Sequence, residues 1–369
     1  MNKSQQVFFE LVRAGLWEKD ARLLPYGEVD YEEVMRLAEE QTVVGLVAAG
    51  IEHVEDAMVP KEIIFQFIGQ ALQLEQRNSS MNKFIGLVVE KLRNDNVYAV
   101  LVKGQGIAQC YEKPLWRSCG DVDLLLSEDN YNKAKALLTI KADSIEPENG
   151  KHVGMTLGQW VVELHGNLHC GLSTRMDKKI DEVQDNVFIE GNIRSWKNEN
   201  TYVFLPGVDD DVIFIFTHFL KHFYKGGLGL RQICDWCRLL WSYRNTINLD
   251  LLEKRLSKMG LMSEWCAFGA YAVDYLGMPK EAMPLYSDER VWSKKADRIN
   301  KFILSVGNMG HNRDKNCSGN NAFIIRKFCS FSRRLCDICN HVMIFPLDSV
   351  RFSPSLFLNG LRSAVKGVG

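Results

Sequence analysis

Apolar positions near both ends of the chain recur with the spacing of amphipathic helices. The longest such run covers about residues 61–94, and the polar triplet at 78–80 favours a kink or break within it. Near the N-terminus, one helical face is formed by Phe8, Leu11, Val12 and Leu16. Helical spacing returns after residue 209, over 212–223, 230–243, 251–259 and 263–276.

Between these helical ends the period shortens to that of strands. Residues 97–102 form a compact apolar run typical of a buried strand, and a Lys-Gly-Gln-Gly turn then leads into a short predicted helix over 107–111. Further strands are predicted at 121–126, 159–165 and 202–205, with a helix over 128–139 that Ser127 caps. We therefore predict an α+β fold. A small mixed β-sheet core (96–206) would be flanked by an N-terminal helical region (1–95) and a C-terminal helical domain (207–369).

Length and composition set limits on the class of protein. At 369 residues the chain is long enough for two or three domains. Its formal net charge of −1 argues against tracking a long nucleic acid, which needs stripes of Lys and Arg. No apolar run approaches the roughly 18 residues of a membrane span, and Glu10 and Arg13 interrupt any signal-peptide core. We expect a cytoplasmic protein with reduced cysteines and no membrane partner.

Two aspartates in the 121–126 strand carry the first chemical signal. Alternate side chains of a strand share a face, so Asp121 and Asp123 point one way while Val122 and Leu124 enter the core. Two carboxylates held side by side repel each other unless a cation lies between them. Oxygen-rich pairs of this kind suit Mg²⁺ or Mn²⁺.

A third carboxylate stands alone in the apolar run WVVELH. A buried, unpaired carboxylate is costly, so Glu163 is expected to have a metal ion or a basic group as its partner. Its strand places His165 on the same face. If this strand lies beside the Asp121 strand, three carboxylates converge, and they could hold one or two metal ions that bridge a triphosphate.

The order of these features resembles a known enzyme class. A glycine turn, an Asp-x-Asp pair and a later Asp or Glu are typical of the DNA polymerase β-type nucleotidyltransferase superfamily. The sequences LVKG, YEKPLWRSCGDVDLLL, VELH and LRQICDWCRLL resemble one branch more closely, the bacterial uncharacterised nucleotidyltransferase family. The similarity is dense over about 97–170 and covers about the central half of the chain.

The resemblance implies a mixed sheet with packed helices and an activity. The enzyme would move a nucleoside monophosphate from an NTP to an acceptor hydroxyl with Mg²⁺. Asp121, Asp123 and Glu163 would be the metal ligands and catalytic residues, with Glu163 helping to deprotonate the acceptor. Gly104 would match the first glycine of the nucleotide turn. The acceptor is not specified: a small molecule, a sugar, a protein side chain or a short RNA end all remain open.

Four further residues are candidates for nucleotide binding. The superfamily's turn has a small second residue, and Gln105 takes that place here, which puts triphosphate binding in doubt. Lys103 could bind a phosphate or be a solvated lysine. Arg117 could bind phosphate or form a structural salt bridge, and His165 could touch the acceptor or be a core histidine.

Other chemistry-bearing residues favour structural roles. His218 and His222 have the i, i+4 spacing of zinc proteases, but the general-base Glu is missing, so packing or surface roles are expected. Arg231 and Asp235 should form a helix-surface ion pair, although the family resemblance keeps Arg231 as a candidate lining of the site. Irregular spacing disfavours a zinc site among Cys317, Cys329, Cys336, Cys339 and His341, near a predicted loop (307–321) and basic helix (322–341).

Three hypotheses remain from the sequence. The first is an Mg²⁺-dependent nucleotidyltransferase. The second is a non-catalytic nucleotide-binding or protein-interaction module on the same fold, which Gln105 and the large helical flanks motivate. The third is a helical scaffold with a coincidental acidic strand, which a separation of Glu163 from the aspartates by more than about 10 Å would favour, since metal ligands must all lie within about 2–2.6 Å of one ion.

Overall fold

The computed structural model describes residues 1–308 and 336–354. The named helices are α1 (Lys3–Trp17), α2 (Tyr31–Glu40), α3 (Val44–Glu52), α4 (Lys61–Asn94), α5 (Gly104–Ala108), α6 (Glu128–Thr139), α7 (Thr174–Phe188), α8 (Val208–Lys225), α9 (Leu230–Ser242), α10 (Leu249–Met259), α11 (Met262–Asp274) and α12 (Arg290–Val306). Two more helical segments cover 336–344 and 346–354. The strands are β1 (Ala99–Val102), β2 (Asp121–Leu126), β3 (Ser144–Ile145), β4 (His152–Leu157), β5 (Trp160–His165), β6 (Ile193–Asn198) and β7 (Thr201–Pro206).

A mixed seven-stranded sheet forms the centre of the α+β fold, in the order β3-β4-β5-β2-β1-β7-β6. Strand β2 lies between β1, which is antiparallel to it, and β5, which is parallel. Strand β1 also pairs in parallel with β7. The two carboxylate-bearing strands predicted from the sequence are therefore direct neighbours.

The two faces of the sheet pack against different helices. Leu124, Val162 and Leu164 belong to an apolar cluster with the C-terminal half of α4 and with α6. Val102 and Leu125, on the opposite face, belong to a larger cluster that includes α1, α8, α9 and α11. The polar side chains of β2 and β5 lie on this second face, beneath the C-terminal helices.

Helix α4 runs without interruption through the polar triplet at 78–80, so of the predicted kink or break the break is wrong, and the kink stays a prediction. The reason is a buried contact: the Asn78 side chain donates to the backbone carbonyls of Leu115 and Arg117, at 2.7 and 2.8 Å. These bonds satisfy the amide within the fold and fix the segment that leads into β2. The polar residue therefore joins α4 to the neighbouring loop.

Most other elements agree with the sequence patterns. The predicted strand at 121–126 and helix at 128–139 have the predicted bounds, but β3, β4, α7 and β6 were not predicted. The domain boundaries at 95/96 and 206/207 stay predictions. Residues 309–335, which include most of the predicted loop and basic helix, and Cys317 and Cys329, lie outside the described residues. Within the described ranges, no helix is long and apolar enough to cross a membrane.

Candidate active site

Three carboxylates meet on one face of the sheet. The parallel register of β2 and β5 places Asp123 opposite Glu163 and Asp121 opposite Val161. Because alternate side chains share a face, all three acids project to the same side. The register follows from the apolar pattern, since a slip of one residue would turn these charges into the core. A coincidental acidic strand is not favoured by this geometry.

Asp123 is buried, and one oxygen of its carboxylate contacts two basic side chains, Lys103 and His165. Lys103 Nζ lies 2.8 Å from Asp123 Oδ1, and His165 Nε2 donates to the same oxygen at 2.7 Å. Burial acts to raise the pKa of Asp123, but the Lys103 charge and the His165 hydrogen bond outweigh it, so the pKa is lowered. The Asp123 carboxylate also raises the pKa of Lys103 despite burial of the ammonium. The pair therefore stays charged at neutral pH.

Glu163 is held by two histidines. His152 Nε2 donates to Glu163 Oε2 at 3.0 Å, and His165 Nε2 lies 3.4 Å from the same oxygen. These two contacts hold the pKa of Glu163 well below its usual range. His152, Glu163 and His165 offer ligand atoms that all lie within 4.8 Å of one another. Imidazole and carboxylate donors in this combination suit Mn²⁺ and other divalent transition metals.

The turn between β1 and α5 is strained. Lys103 has φ +59° and ψ −148°, a conformation that non-glycine residues rarely adopt. Gly104 follows with φ +44°, and a Cβ there would meet Cys119 Sγ at 3.2 Å and the Asp121 carbonyl at 3.5 Å. A glycine is therefore required at 104 by both conformation and space. The turn places the Lys103 ammonium on the carboxylate face.

Two of the candidate nucleotide-binding residues have other partners. Gln105 is buried, and its side-chain amide reaches Met81 Sδ at 3.8 Å. Arg117 is buried against Asp235 of α9, with Nε donating to Oδ1 at 3.0 Å. Asp235 also accepts a hydrogen bond from Tyr111 at 2.8 Å, so the expected Arg231–Asp235 surface ion pair is wrong. Asp235 therefore pairs with Arg117, in the loop before β2.

The oxygens that remain on β2 fit a divalent cation. Burial, followed by repulsion from Asp123 and Glu163, raises the pKa of Asp121. Among the described residues, no group donates a hydrogen bond to the Asp121 carboxylate or to Oδ2 of Asp123. Carboxylate oxygens that are partly buried, unpaired and mutually repelling are a suitable donor set for Mg²⁺ or Mn²⁺. The structure brings these carboxylates to one face of the sheet, and the assignment of Asp121, Asp123 and Glu163 as metal ligands stays a prediction.

His152 is a member of the site that the sequence patterns missed. It opens β4, which pairs antiparallel with β5, so His152 lies opposite His165 with ring centroids 4.7 Å apart. The two strands are joined by the two-residue turn Gly158–Gln159, with Gly158 at φ +62°. Two apolar runs separated by a glycine-containing pair are a hairpin signal. From that signal, His152 and His165 could have been predicted to lie opposite each other, at the open end of one hairpin.

The comparisons with known proteins agree with this geometry. The model of a family of uncharacterised nucleotidyltransferases matches residues 27–277, more than half of the chain. The protein belongs to this family. Membership gives it a general nucleotidyl-transfer role and places it among the transferases. No curated protein and no solved structure matched the chain.

Proposed function

We propose that the protein is a metal-dependent nucleotidyltransferase that moves a nucleoside monophosphate from an NTP to an acceptor hydroxyl. The observation that carries the proposal is the register of β2 and β5, which puts Asp121, Asp123 and Glu163 on one face beside Lys103. A divalent ion bound by these carboxylates would neutralise charge on the phosphates. The proposal does not specify the nucleobase of the NTP or the acceptor molecule. Mg²⁺ is the expected ion, and Mn²⁺ is the alternative.

The chemistry is a displacement at the α-phosphorus. The acceptor oxygen forms a bond to this phosphorus while the bond to the oxygen that bridges to the β-phosphorus breaks, and its electron pair leaves with pyrophosphate. Lys103 is buried and charged beside Asp123, so it can act as a point charge on a phosphate oxygen. The contact of Lys103 Nζ with Asp123 Oδ1, at 2.8 Å, holds this charge on the carboxylate face.

The acceptor proton needs a group to receive it. Glu163 stays ionised because His152 and His165 lower its pKa, so it can accept a hydrogen bond from an incoming hydroxyl. A carboxylate with such a low pKa is a weak base. The hydroxyl proton passes to Glu163 as the acceptor oxygen bonds to phosphorus, because the acidity of the hydroxyl rises in that step.

Transfer of labelled phosphate is the direct test. We would incubate the protein and Mg²⁺ with each α-labelled NTP and a cell lysate, and follow the label onto any acceptor. In parallel, calorimetry would measure NTP binding. We expect transfer that EDTA abolishes, and NTP binding that is lost when Asp121 and Asp123 are both changed to alanine. Asp288→Ala, at an exposed position away from the sheet, is the matched control.

Two outcomes would contradict the proposal. NTP binding that is unchanged in the double variant would mean that the carboxylate face is not the nucleotide site. Binding that depends on the aspartates without label on any acceptor would favour a non-catalytic nucleotide-binding module. A circular-dichroism spectrum like that of the wild type is required of each variant before either conclusion is drawn.

A further inference from the structure

The hairpin of β4 and β5 places two histidines and one carboxylate on the face of the sheet that carries the candidate active site. His152 opens β4 and lies directly opposite His165, which ends β5. Glu163 is two residues before His165, so its side chain projects to the same side. Both strands lie inside the seven-stranded sheet, where they have a neighbour on each side. The three side chains therefore start from rigid positions, as a metal site requires.

The distances between the three candidate ligand atoms resemble those around a single metal ion. His152 Nε2 lies 3.0 Å from Glu163 Oε2, and His165 Nε2 lies 3.4 Å from the same oxygen. Nitrogen and oxygen ligands about 2.1 Å from one zinc ion are about 3.0–3.4 Å apart when the bond angle at the ion is about 90–110°. The two histidine nitrogens are within 4.8 Å of each other. An ion within this group therefore requires only a modest inward movement of the imidazoles.

Hydrogen bonds alone satisfy only part of this group. His165 Nε2 lies 2.7 Å from Asp123 Oδ1 as well as 3.4 Å from Glu163 Oε2. The nitrogen carries at most one proton, which can form a good hydrogen bond to only one of these two oxygens. When the proton lies on Nδ1 instead, Nε2 can bind an ion together with Glu163. Asp123 then keeps Lys103 Nζ, at 2.8 Å, as its partner. A change of tautomer therefore prepares the group for a metal ion without loss of the Asp123 ion pair.

A glycine opposite Glu163 leaves space on this face of the hairpin. Gly154 of β4 is the direct partner of Glu163, and it does not have a positive φ, so the backbone conformation does not require glycine here. On its other side, the Gly154 carbonyl accepts a hydrogen bond from the Glu146 backbone N–H at 2.9 Å. A Cβ at position 154 would come within 2.8 Å of Glu146 Oε2. A side chain at 154 would therefore fill the space between Glu146 and Glu163, which the glycine keeps open.

Solvent reaches the group from the side of His152. The side chains of His152 and Glu163 are 38% and 28% exposed, whereas that of His165 is 9% exposed. An ion can therefore enter past His152 and keep open coordination positions, as catalytic metal sites do. Among the described residues, none donates a hydrogen bond to Glu163 Oε1. That oxygen stays available to an acceptor hydroxyl when Oε2 binds the ion.

We propose that His152, Glu163 and His165 bind a divalent transition-metal ion, separately from the ion that accompanies the NTP at Asp121 and Asp123. Two imidazoles and one carboxylate with open positions are the donor set of many zinc and non-haem iron sites. Mg²⁺ prefers oxygen ligands, so the two imidazoles select against it. The site goes beyond the proposed function and does not depend on it, because its ion binds without nucleotide.

Titration of the untagged protein with Co²⁺, in the absence of nucleotide, tests the site through the visible absorption of the bound ion. We would compare the wild type with His152→Gln, whose amide can still donate a hydrogen bond to Glu163 but is a poor metal ligand. Loss of an outer-shell partner costs roughly tenfold to a hundredfold in metal affinity, so loss of the His152 ligand should weaken Co²⁺ binding by roughly a hundredfold or more. A large excess of Mg²⁺ should not displace the bound Co²⁺.

His169→Gln is the matched control. His169 Nε2 also contacts a carboxylate, Asp181 Oδ1 at 2.6 Å, but in the described part of the chain it belongs to no group of three candidate ligands. This variant should bind Co²⁺ as the wild type does.

X-ray absorption of the zinc-loaded wild type gives a second readout that does not depend on the folding of a variant. We expect two imidazole ligands, with nitrogen and oxygen atoms at about 2.0–2.2 Å from the ion. Sulfur ligands would instead place the ion at cysteines, of which Cys336 and Cys339 are exposed. A spectrum with sulfur ligands, or without imidazole, would overturn the proposal.

The outcomes separate this site from the proposed function. If the wild type does not bind Co²⁺, or if His152→Gln binds it as tightly as the wild type, the transition-metal site is wrong, even when transfer is observed with Mg²⁺. Displacement of Co²⁺ by an equal concentration of Mg²⁺ would also overturn it, because the imidazoles would then not be ligands. If Co²⁺ binding depends on His152 but no NTP labels any acceptor, the metal site stands and the transfer reaction fails.

Discussion

Helix α8 separates two regions that both contain buried carboxyl groups. The pKa values of these groups are shifted in opposite directions in the two regions. On the sheet side, Asp123 and Glu163 are surrounded by Lys103 and two histidines, and both carboxyl groups have lowered pKa values. On the other side, Glu264 of α11 lies in the aromatic core of the C-terminal helices. Burial, and then repulsion by Asp348, raises the pKa of Glu264 to about 8.

The hydrogen bonds of the two regions explain the difference. Glu264 Oε1 accepts one hydrogen bond, from the Tyr224 hydroxyl at 2.8 Å, and its Oε2 has no hydrogen-bond partner among the described residues. At the sheet, Asp123 and Glu163 each have a basic partner, and the unpaired oxygens of Asp121 and Asp123 lie on the same face. Burial alone therefore does not identify a functional carboxylate. A buried carboxylate that basic partners keep charged is the better candidate for a functional group.

The strongest way to test this comparison is Asp121→Asn. Asp121 has no hydrogen-bond donor among the described residues, and two neighbouring carboxylates repel it. Removing its charge should lower nucleotidyl transfer by roughly 10³-fold, because a metal ligand is lost. The free energy of unfolding should not fall, since the repulsion is relieved. Transfer assays and urea unfolding of the same preparation measure both effects.

Asp288→Asn, at an exposed aspartate, is the matched control and should change neither quantity. A large loss of stability in Asp121→Asn would mean that this carboxylate is part of the structural core, as Glu264 is. The contrast between the two sides of α8 would then disappear.

The second test concerns the pH dependence of stability that Glu264 should cause. Its folded-state pKa of about 8 lies above the unfolded value, so the folded protein binds more protons between about pH 4.5 and 8. The stability from this group is complete below the unfolded pKa and is lost as pH rises through 8. Between pH 5 and 8 we expect the free energy of unfolding to fall by roughly 3 kcal/mol from this cause.

Glu264→Gln should remove that part of the slope, because the amide stays neutral and can still accept the Tyr224 hydrogen bond. Urea unfolding at several pH values, compared with the exposed control Glu253→Gln on α10, isolates the contribution. If Glu264→Gln and the wild type have the same slope, Glu264 is charged in the folded protein. The buried carboxyl groups on the two sides of α8 would then have the same charge state.

Local patterns predicted part of the first region and nothing of the second. Strand alternation placed Asp121 and Asp123 on one face of a strand, and Glu163 with His165 on one face of another, but the pairing of these two strands is known only from the structure. The partners come from distant segments: His152 from an unpredicted hairpin strand, and Asp235 from α9, which pairs with Arg117. Spacing along one element cannot reveal them. The environment of Glu264 depends in the same way on Tyr224, forty residues away.

The smallest expected effect concerns Gln105, a buried polar side chain that forms no ion pair and no hydrogen bond to a charged group among the described residues. Its Oε1 has no hydrogen-bond partner among the described residues, and its amide meets only Met81 Sδ. Gln105→Met should therefore raise the free energy of unfolding by about 1 kcal/mol, since an unsatisfied group is removed at similar volume. Affinity for Mg²⁺–NTP should stay within twofold, because the side chain packs against α4 and not on the carboxylate face. Urea unfolding and calorimetry measure the two quantities, with the exposed Gln76→Met as control. A clear loss of NTP affinity would instead return Gln105 to the nucleotide turn and make it, like Lys103, a polar group that the site uses.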